Sequence, residues 1–137
     1  MLQLETIDDA YSFHSYDEHS AKLIKPNKDI HSMQSKEDAL REISCTTLIY
    51  KNQLETRDYP QSFTQFDHNC IEKLLQHDAD IYLIGTGQQV CFPEKAILQH
   101  IAEKKLSIDF MDIGAACRTF NILTGEYRKV AALIFFK

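Results

Sequence analysis

Apolar and polar positions along this chain of 137 residues change rhythm several times, and each rhythm predicts a different element. Residues 10–24 alternate loosely, with Tyr11 and Phe13 on one parity and Leu23 and Ile24 further on, the period of one or two strands in a small β layer. Residues 25–34 are polar, and Ser35-Lys36-Glu37-Asp38 before Ala39 and Leu40 has the form of a capping box opening a short helix to about residue 43. Thr46-Thr47-Leu48-Ile49-Tyr50 is β-branched and aromatic and reads as a strand. Residues 52–66 hold few periodic apolar positions and carry the turn signal Asp58-Tyr59-Pro60, so they read as a surface loop.

Order returns after residue 66. Asp67 or Asn69 can cap a helix to about residue 77, with Ile71, Leu74 and Leu75 as its apolar stripe. Residues 81–84 are apolar on both parities, the pattern of a strand covered on both faces. Pro93 suits the first turn of a helix to about residue 105, with Ile97, Leu98 and Ile101 inward and Lys104 and Lys105 at its negative end. A strand over 106–111, a helix over 115–123 with Gly114 as its cap and Gly125 near its carboxyl end, and a final strand over 130–136 complete the chain.

This alternation predicts one α/β domain over residues 1–137: a mixed, mostly parallel central sheet flanked by helices, with a small additional N-terminal β layer. In such folds a strand–helix–strand crossover brings neighbouring strand exits to one sheet edge, where ligands bind. Two exits qualify, Ile84-Gly85-Thr86-Gly87 and Met111-Asp112-Ile113-Gly114-Ala115-Ala116-Cys117.

Composition narrows the function classes. A net charge of -5 argues against broad contact with nucleic-acid backbones, since such affinity comes from Lys and Arg displacing counterions. No charge-free run approaches the ~20 apolar residues of a membrane span, and the amino terminus has neither a secretory nor a transit pattern, so a cytoplasmic location is expected. Cys45, Cys70, Cys91 and Cys117 form no Cys-x-x-Cys pair and no finger spacing with histidine. Four reduced thiols, no metal site and no cofactor are expected.

The candidate chemistry is incomplete at each point. Gly85-Thr86-Gly87 is followed by Gln88-Gln89-Val90-Cys91-Phe92, where a dinucleotide fingerprint requires a third glycine and a helix, and no P-loop ending is present. With Gly114 as cap, Cys117 falls in the first helical turn, where amide groups and the helix dipole favour a thiolate. Asp109 and Asp112 have opposite strand parity and cannot share a proton, so Asp112 more naturally orders the turn. Thr119 and Asn121 lie on the following helix, with local hydrogen bonding as their default.

Taken together, Gly85-Thr86-Gly87 and the pattern Asp112-x-x-x-Ala116-Cys117-x-Thr119-Phe120-Asn121-x-Leu123, closed by Val130-Ala131-Ala132-Leu133-Ile134, resemble the small α/β family called domain of unknown function 498. The match covers about the last 60 residues and fades before Thr46, which puts the family-like core at about 46–137. Ile113 departs from the pattern, in which a hydroxyl residue is usual there. The resemblance implies one domain with a mixed sheet and a small extra β layer, no established reaction, and, from eukaryotic members, binding to other proteins during assembly of respiratory complex I.

The expected binding surface comprises Gly85, Thr86, Gly87, Asp112, Gly114, Ala116, Cys117, Arg118, Thr119 and Asn121, facing a protein partner or a small-molecule ligand. The alternatives are a small enzyme with a reactive thiol at Cys117 and a small-anion binder at the Gly85–Gly87 turn. The last strand, ending in Phe135-Phe136, is either interior or an edge open to homo-oligomer formation.

Overall fold

The computed structural model describes residues 9–26 and 39–137. Its N-terminal layer is a three-stranded antiparallel sheet of β1 (Ser12–Tyr16), β2 (Ala21–Ile24) and β3 (Leu40–Ile43). β3 replaces the helix predicted to run to about residue 43; the capping-box residues 35–38 themselves lie outside the described residues. Pairing decides the matter, because Leu40–Ile43 completes a ladder with Ala21–Ile24, and such tertiary pairing overrides local propensity.

The central sheet has five strands in the order β5-β4-β8-β6-β7: β4 (Thr47–Tyr50), β5 (Gln53–Glu55), β6 (Ile81–Gly85), β7 (Ile108–Met111) and β8 (Val130–Ile134). Three strands, β8, β6 and β7, run parallel to one another, and β4 and β5 add antiparallel pairings at the other side. β8 is interior and buried along its whole length, so it offers no free edge for pairing with another copy. β5 lies within the stretch read as a loop; its three residues are too few and too exposed to produce a period. The same stretch contains a single 3-10 turn, Phe63–Gln65, capped by Ser62.

Strand parity sorts the core into two halves. Leu48, Tyr50, Tyr82, Ile84, Ala131 and Leu133 face α1 (His68–Leu74) and α2 (Lys95–Glu103), together with Phe63, Phe66 and Phe135. Ile49, Leu83, Val130, Ala132 and Ile134 face α3 (Ile113–Gly125) and the small sheet, which contributes Phe13, Leu23 and Ile43. The N-terminal strands thus cover part of the same face as α3.

Local signals set the helix ends. Asp67 caps α1, its side chain accepting from Cys70 N–H at 3.1 Å, but the helix stops at Leu74 and Leu75 is exposed. α2 begins at Lys95 behind Glu94, so Pro93 precedes the helix and does not open it; Ile97 and Ile101 point inward, whereas Leu98 is exposed. α3 is longer than its predicted span and is capped by Asp112, not Gly114.

Gly85 is where α3 comes closest to the sheet: a Cβ there would sit 2.9 Å from Ile134 Cδ1 and 3.3 Å from Ala116 Cβ. A Cβ at Gly125, by contrast, would meet nothing within 4 Å. Gly85→Ala is therefore expected to destabilise the protein by about 1–3 kcal/mol through overpacking. Gly125→Ala should stabilise it by about 0.5–1 kcal/mol through helix propensity. Urea unfolding of both variants checks the pair, and equal effects would show that the approach at Gly85 is not tight.

Candidate functional site

The two predicted strand exits do meet. Gly85 and Met111 are register partners across β6 and β7, Thr86 N–H donates to Met111 O at 2.8 Å, and Ile113 N–H donates to Gly87 O at 2.8 Å. Gly87, at φ +106°, supplies the left-handed bend that this clasp requires. The bends lie side by side at the carboxyl edge of the parallel strands.

Burial then divides the predicted patch. Thr86 is only 5% exposed; its hydroxyl accepts from Cys91 N–H at 2.9 Å and lies 2.8 Å from Gln89 O, to which it donates. It knots the loop after β6 and presents nothing to a partner. Ala116 is buried under Gly85, and Phe120 packs edge-on against Phe13 at 5.4 Å. Asp112 Oδ1 accepts from Ala115 N–H at 2.9 Å, so it orders the turn and places its carboxylate where an exogenous anion would bind the helix start.

Asn121 departs most from its expected local role. Its Oδ1 accepts from Phe13 N–H at 2.7 Å and its Nδ2 donates to Phe13 O at 2.8 Å, across 108 positions of sequence. The amide side chain acts as a neighbouring strand would, satisfying both backbone groups of β1 at that residue. The sequence signal for it is slight, an amide on a helix face otherwise turned to the core.

Cys117 does not have the position expected of a nucleophile. With Asp112 as the cap it falls in the second turn, and it is 2% exposed. Burial pushes its thiol up to about 12, against the opposing pull of Arg118 and with a smaller push from Asp112. Such a thiol stays protonated and inaccessible at neutral pH, which removes the basis for a thiolate at this site.

The accessible part of the edge is a groove of about 460 Å³ whose walls are the β1–β2 turn, the loop after β6 and the start of α3. Tyr16 lies across Gly114, where an added Cβ would be 2.6 Å from its phenolic oxygen, and Arg118 Nη1 donates to that oxygen at 2.8 Å. Gly114 is thus the seat of Tyr16. Asp17 accepts from His19 and Ser20 N–H, each at 2.8 Å, and these bonds hold its carboxyl below the usual range. Glu18 accepts a hydrogen bond from Gln88, joining the small sheet's tip to the loop after β6. Thr119 is half-buried and Arg118 exposed. Sequence reasoning missed Tyr16, Glu18 and Gln88, which carry no motif. Among the described residues no group of three or more His, Cys, Asp or Glu is arranged to hold a metal ion.

Three outcomes follow. Asn121→Ala should cost roughly 2–4 kcal/mol in urea unfolding, since it leaves both Phe13 backbone groups without partners. A thiol reagent at neutral pH should label exposed Cys91 first and leave Cys70 and Cys117 to react only on unfolding. Because the folded thiol of Cys117 titrates above its ordinary 9.0, its contribution to stability is complete below pH 9.0 and is lost as pH rises toward about 12. Cys117→Ala should flatten part of that alkaline loss, the remainder coming from Cys70, Tyr59 and Tyr82, which burial also pushes up.

Comparison with known proteins places these features in a family. Structures with the same architecture include an NMR structure from Xanthomonas campestris, 23% identical, TM-score 0.71, covering 98% of this chain and 91% of that one. A Bordetella pertussis protein described as a Mth938-like domain is 14% identical at TM-score 0.65, covering 98% and 91%. The crystal structure of an outer membrane protein from Bartonella henselae is 23% identical at TM-score 0.64, covering 96% and 98%. These show the fold. By sequence, the chain is 33% identical over 81 residues to the "13 kDa major membrane protein" of Francisella tularensis, covering 59% of this chain and 66% of that one. It is 33% identical over 61 residues to the NADH dehydrogenase 1 alpha subcomplex assembly factor 3 of Xenopus tropicalis, covering 44% of this chain and 33% of that protein. The Drosophila melanogaster protein of the same name is 27% identical over 88 residues, covering 56% and 45%. The chain thus spans from one-third to just under two-thirds of the length of these curated relatives. The profile of the family described as protein of unknown function DUF498/DUF598 matches residues 15–135, taking in β2, β3 and the end of β1 of the small sheet, and the chain belongs to that family.

Proposed function

We propose that this protein is a noncatalytic, assembly-factor-like component of the cytoplasm that binds another protein through the groove at the strand exits. The observation that carries this reading is the contrast between the motif and its rim. The side chains of the motif that could do chemistry, Thr86, Asp112, Cys117 and Asn121, are hydrogen-bonded into the fold or buried. Tyr16, by contrast, lines the groove and is 42% exposed, and the loop after β6 that forms one wall goes on to expose Val90 and Phe92, the last 63% exposed. Large apolar side chains held in water beside a groove are a recurring property of protein-binding faces.

The process is read from the relatives. Two of them are named as assembly factors of NADH dehydrogenase, which supports assembly of a respiratory complex as the setting. No helix among the described residues is long and apolar enough to cross a membrane.

The test is recovery of partners with a tagged protein, followed by mass spectrometry and repeated with Phe92→Asp and Gln88→Lys. Both residues are exposed and lie outside the motif, and Gln88→Lys keeps a donor for Glu18, so folding should be unaffected, whereas Thr86 and Asn121 hold the structure together and would confuse the result. A specific partner lost by at least about tenfold in both variants, with unchanged melting temperature, is the expected result, the size of a modest interface hot spot. A partner retained by both would place the interface elsewhere.

A further inference from the structure

At the end of the sheet opposite the groove, where α3 finishes and β8 begins, a second cleft of about 340 Å³ opens between separate chain segments. Ala10 and Val130, both buried, give it an apolar floor. Its rim carries Lys51 from the β4–β5 turn and Arg128 and Lys129 from the connection into β8. Lys129 Nζ is 3.1 Å from Asp78 Oδ2, and Lys51 Nζ lies 5.3 Å from the Tyr50 ring centroid. Arg128 has no ion pair among the described residues, and Asp9 is the one carboxylate in the lining. Asp78 and Asp80 act on Lys129, so the cations of the rim left to meet a ligand are Arg128 and Lys51.

Two further features concern the same cleft. Lys51 and Tyr127 both hold left-handed backbone, at φ 54° and 62°, a conformation that costs a residue with a Cβ free energy that glycine avoids. Tyr127 stands just past the end of α3, where its N–H donates to Thr124 O at 3.0 Å and Arg128 N–H donates to Leu123 O at 3.0 Å, a helix stop at which glycine is the common occupant. Burial does not explain the tyrosine, which is 91% exposed. Thr124, in the wall, is 8% exposed, and its buried hydroxyl has no hydrogen-bond partner among the described residues. Strained backbone and an unsatisfied buried polar group at one concavity are the marks of a ligand site.

We infer that this cleft binds a small organic monoanion with an apolar body, a carboxylate on an aromatic or branched aliphatic frame. Its charged end pairs with Arg128 and Lys51, and its body covers Ala10 and Val130 beside the Tyr127 ring. A compact dianion such as phosphate fits less well, because the last carbonyls of α3 and Asp9 set negative potential against it and the apolar floor gives it nothing. This inference is independent of the groove at the other end of the sheet.

Benzoate is the probe, with benzamide as its neutral isostere and inorganic phosphate as the compact anion, each titrated into the full chain at low ionic strength while amide resonances are followed. Benzoate should give saturable shifts confined to Lys51, Thr124 and residues 127–130, with a dissociation constant on the order of 1 mM, as befits a ligand of its size. Arg128→Gln and Lys51→Gln should each weaken it by about threefold to tenfold. Tyr127→Gly should raise the melting temperature, by relieving the backbone, while weakening benzoate; a tyrosine with a purely structural role would change stability alone. Equal shifts with benzamide, a full benzoate pattern reproduced by phosphate, or shifts that fail to saturate would each overturn the proposal.

Discussion

The approach of α3 to the end of β6 is the constraint from which the rest of the strand-exit region follows. With no side chain on Gly85 and only a methyl group on Ala116, helix and sheet come into contact where a larger pair would hold them apart. That contact lets Ile113 N–H reach Gly87 O, aligns the two exits and sets Asp112 at the helix start. It also places Gly114 where the Tyr16 ring can lie across the helix, so the small sheet is positioned by the same packing event. Asn121 completes the attachment two turns further on, supplying Phe13 with the hydrogen bonds of a missing strand.

The motif that identifies the family is thus largely a packing motif. Gly85, Ala116, Cys117 and Phe120 are buried, and Thr86, Asp112 and Asn121 use their polar atoms on backbone groups. A dense set of small and polar residues at a sheet edge resembles an active site in sequence because both require close backbone approach and exact donors and acceptors. Here those donors and acceptors face inward. The exposed side chains Tyr16, Gln88, Phe92 and Ile122 are not among the motif's own residues.

What could be read in advance follows from the range of the interactions involved. β6 and β8 were legible because strands covered on both faces are apolar on both parities, and the caps at Asp67 and Asp112 act over three residues. β3 was not legible, since its identity comes from pairing with β2 and its own composition favours a helix start nearby. β5 is three residues long and partly exposed, which leaves no period to detect. Of the site, the meeting of the exits was legible from topology; the inward direction of Thr86 and the reach of Asn121 to Phe13 were not, because nothing local distinguishes a threonine that ties a loop from one that greets a ligand.

The place of β8 between β4 and β6 has a kinetic corollary. Thr47 pairs with Ile134 and Ile81 with Val130, so the central ladder joins segments separated by much of the chain and cannot begin with neighbours in sequence. Closing such long loops carries an entropic cost before any ladder bond repays it, and chains of this kind reach the native state more slowly than helical bundles of equal length. Until β8 docks, β4 and β6 have open inner edges and uncovered apolar faces, so the unassembled sheet is the species most exposed to aggregation during folding.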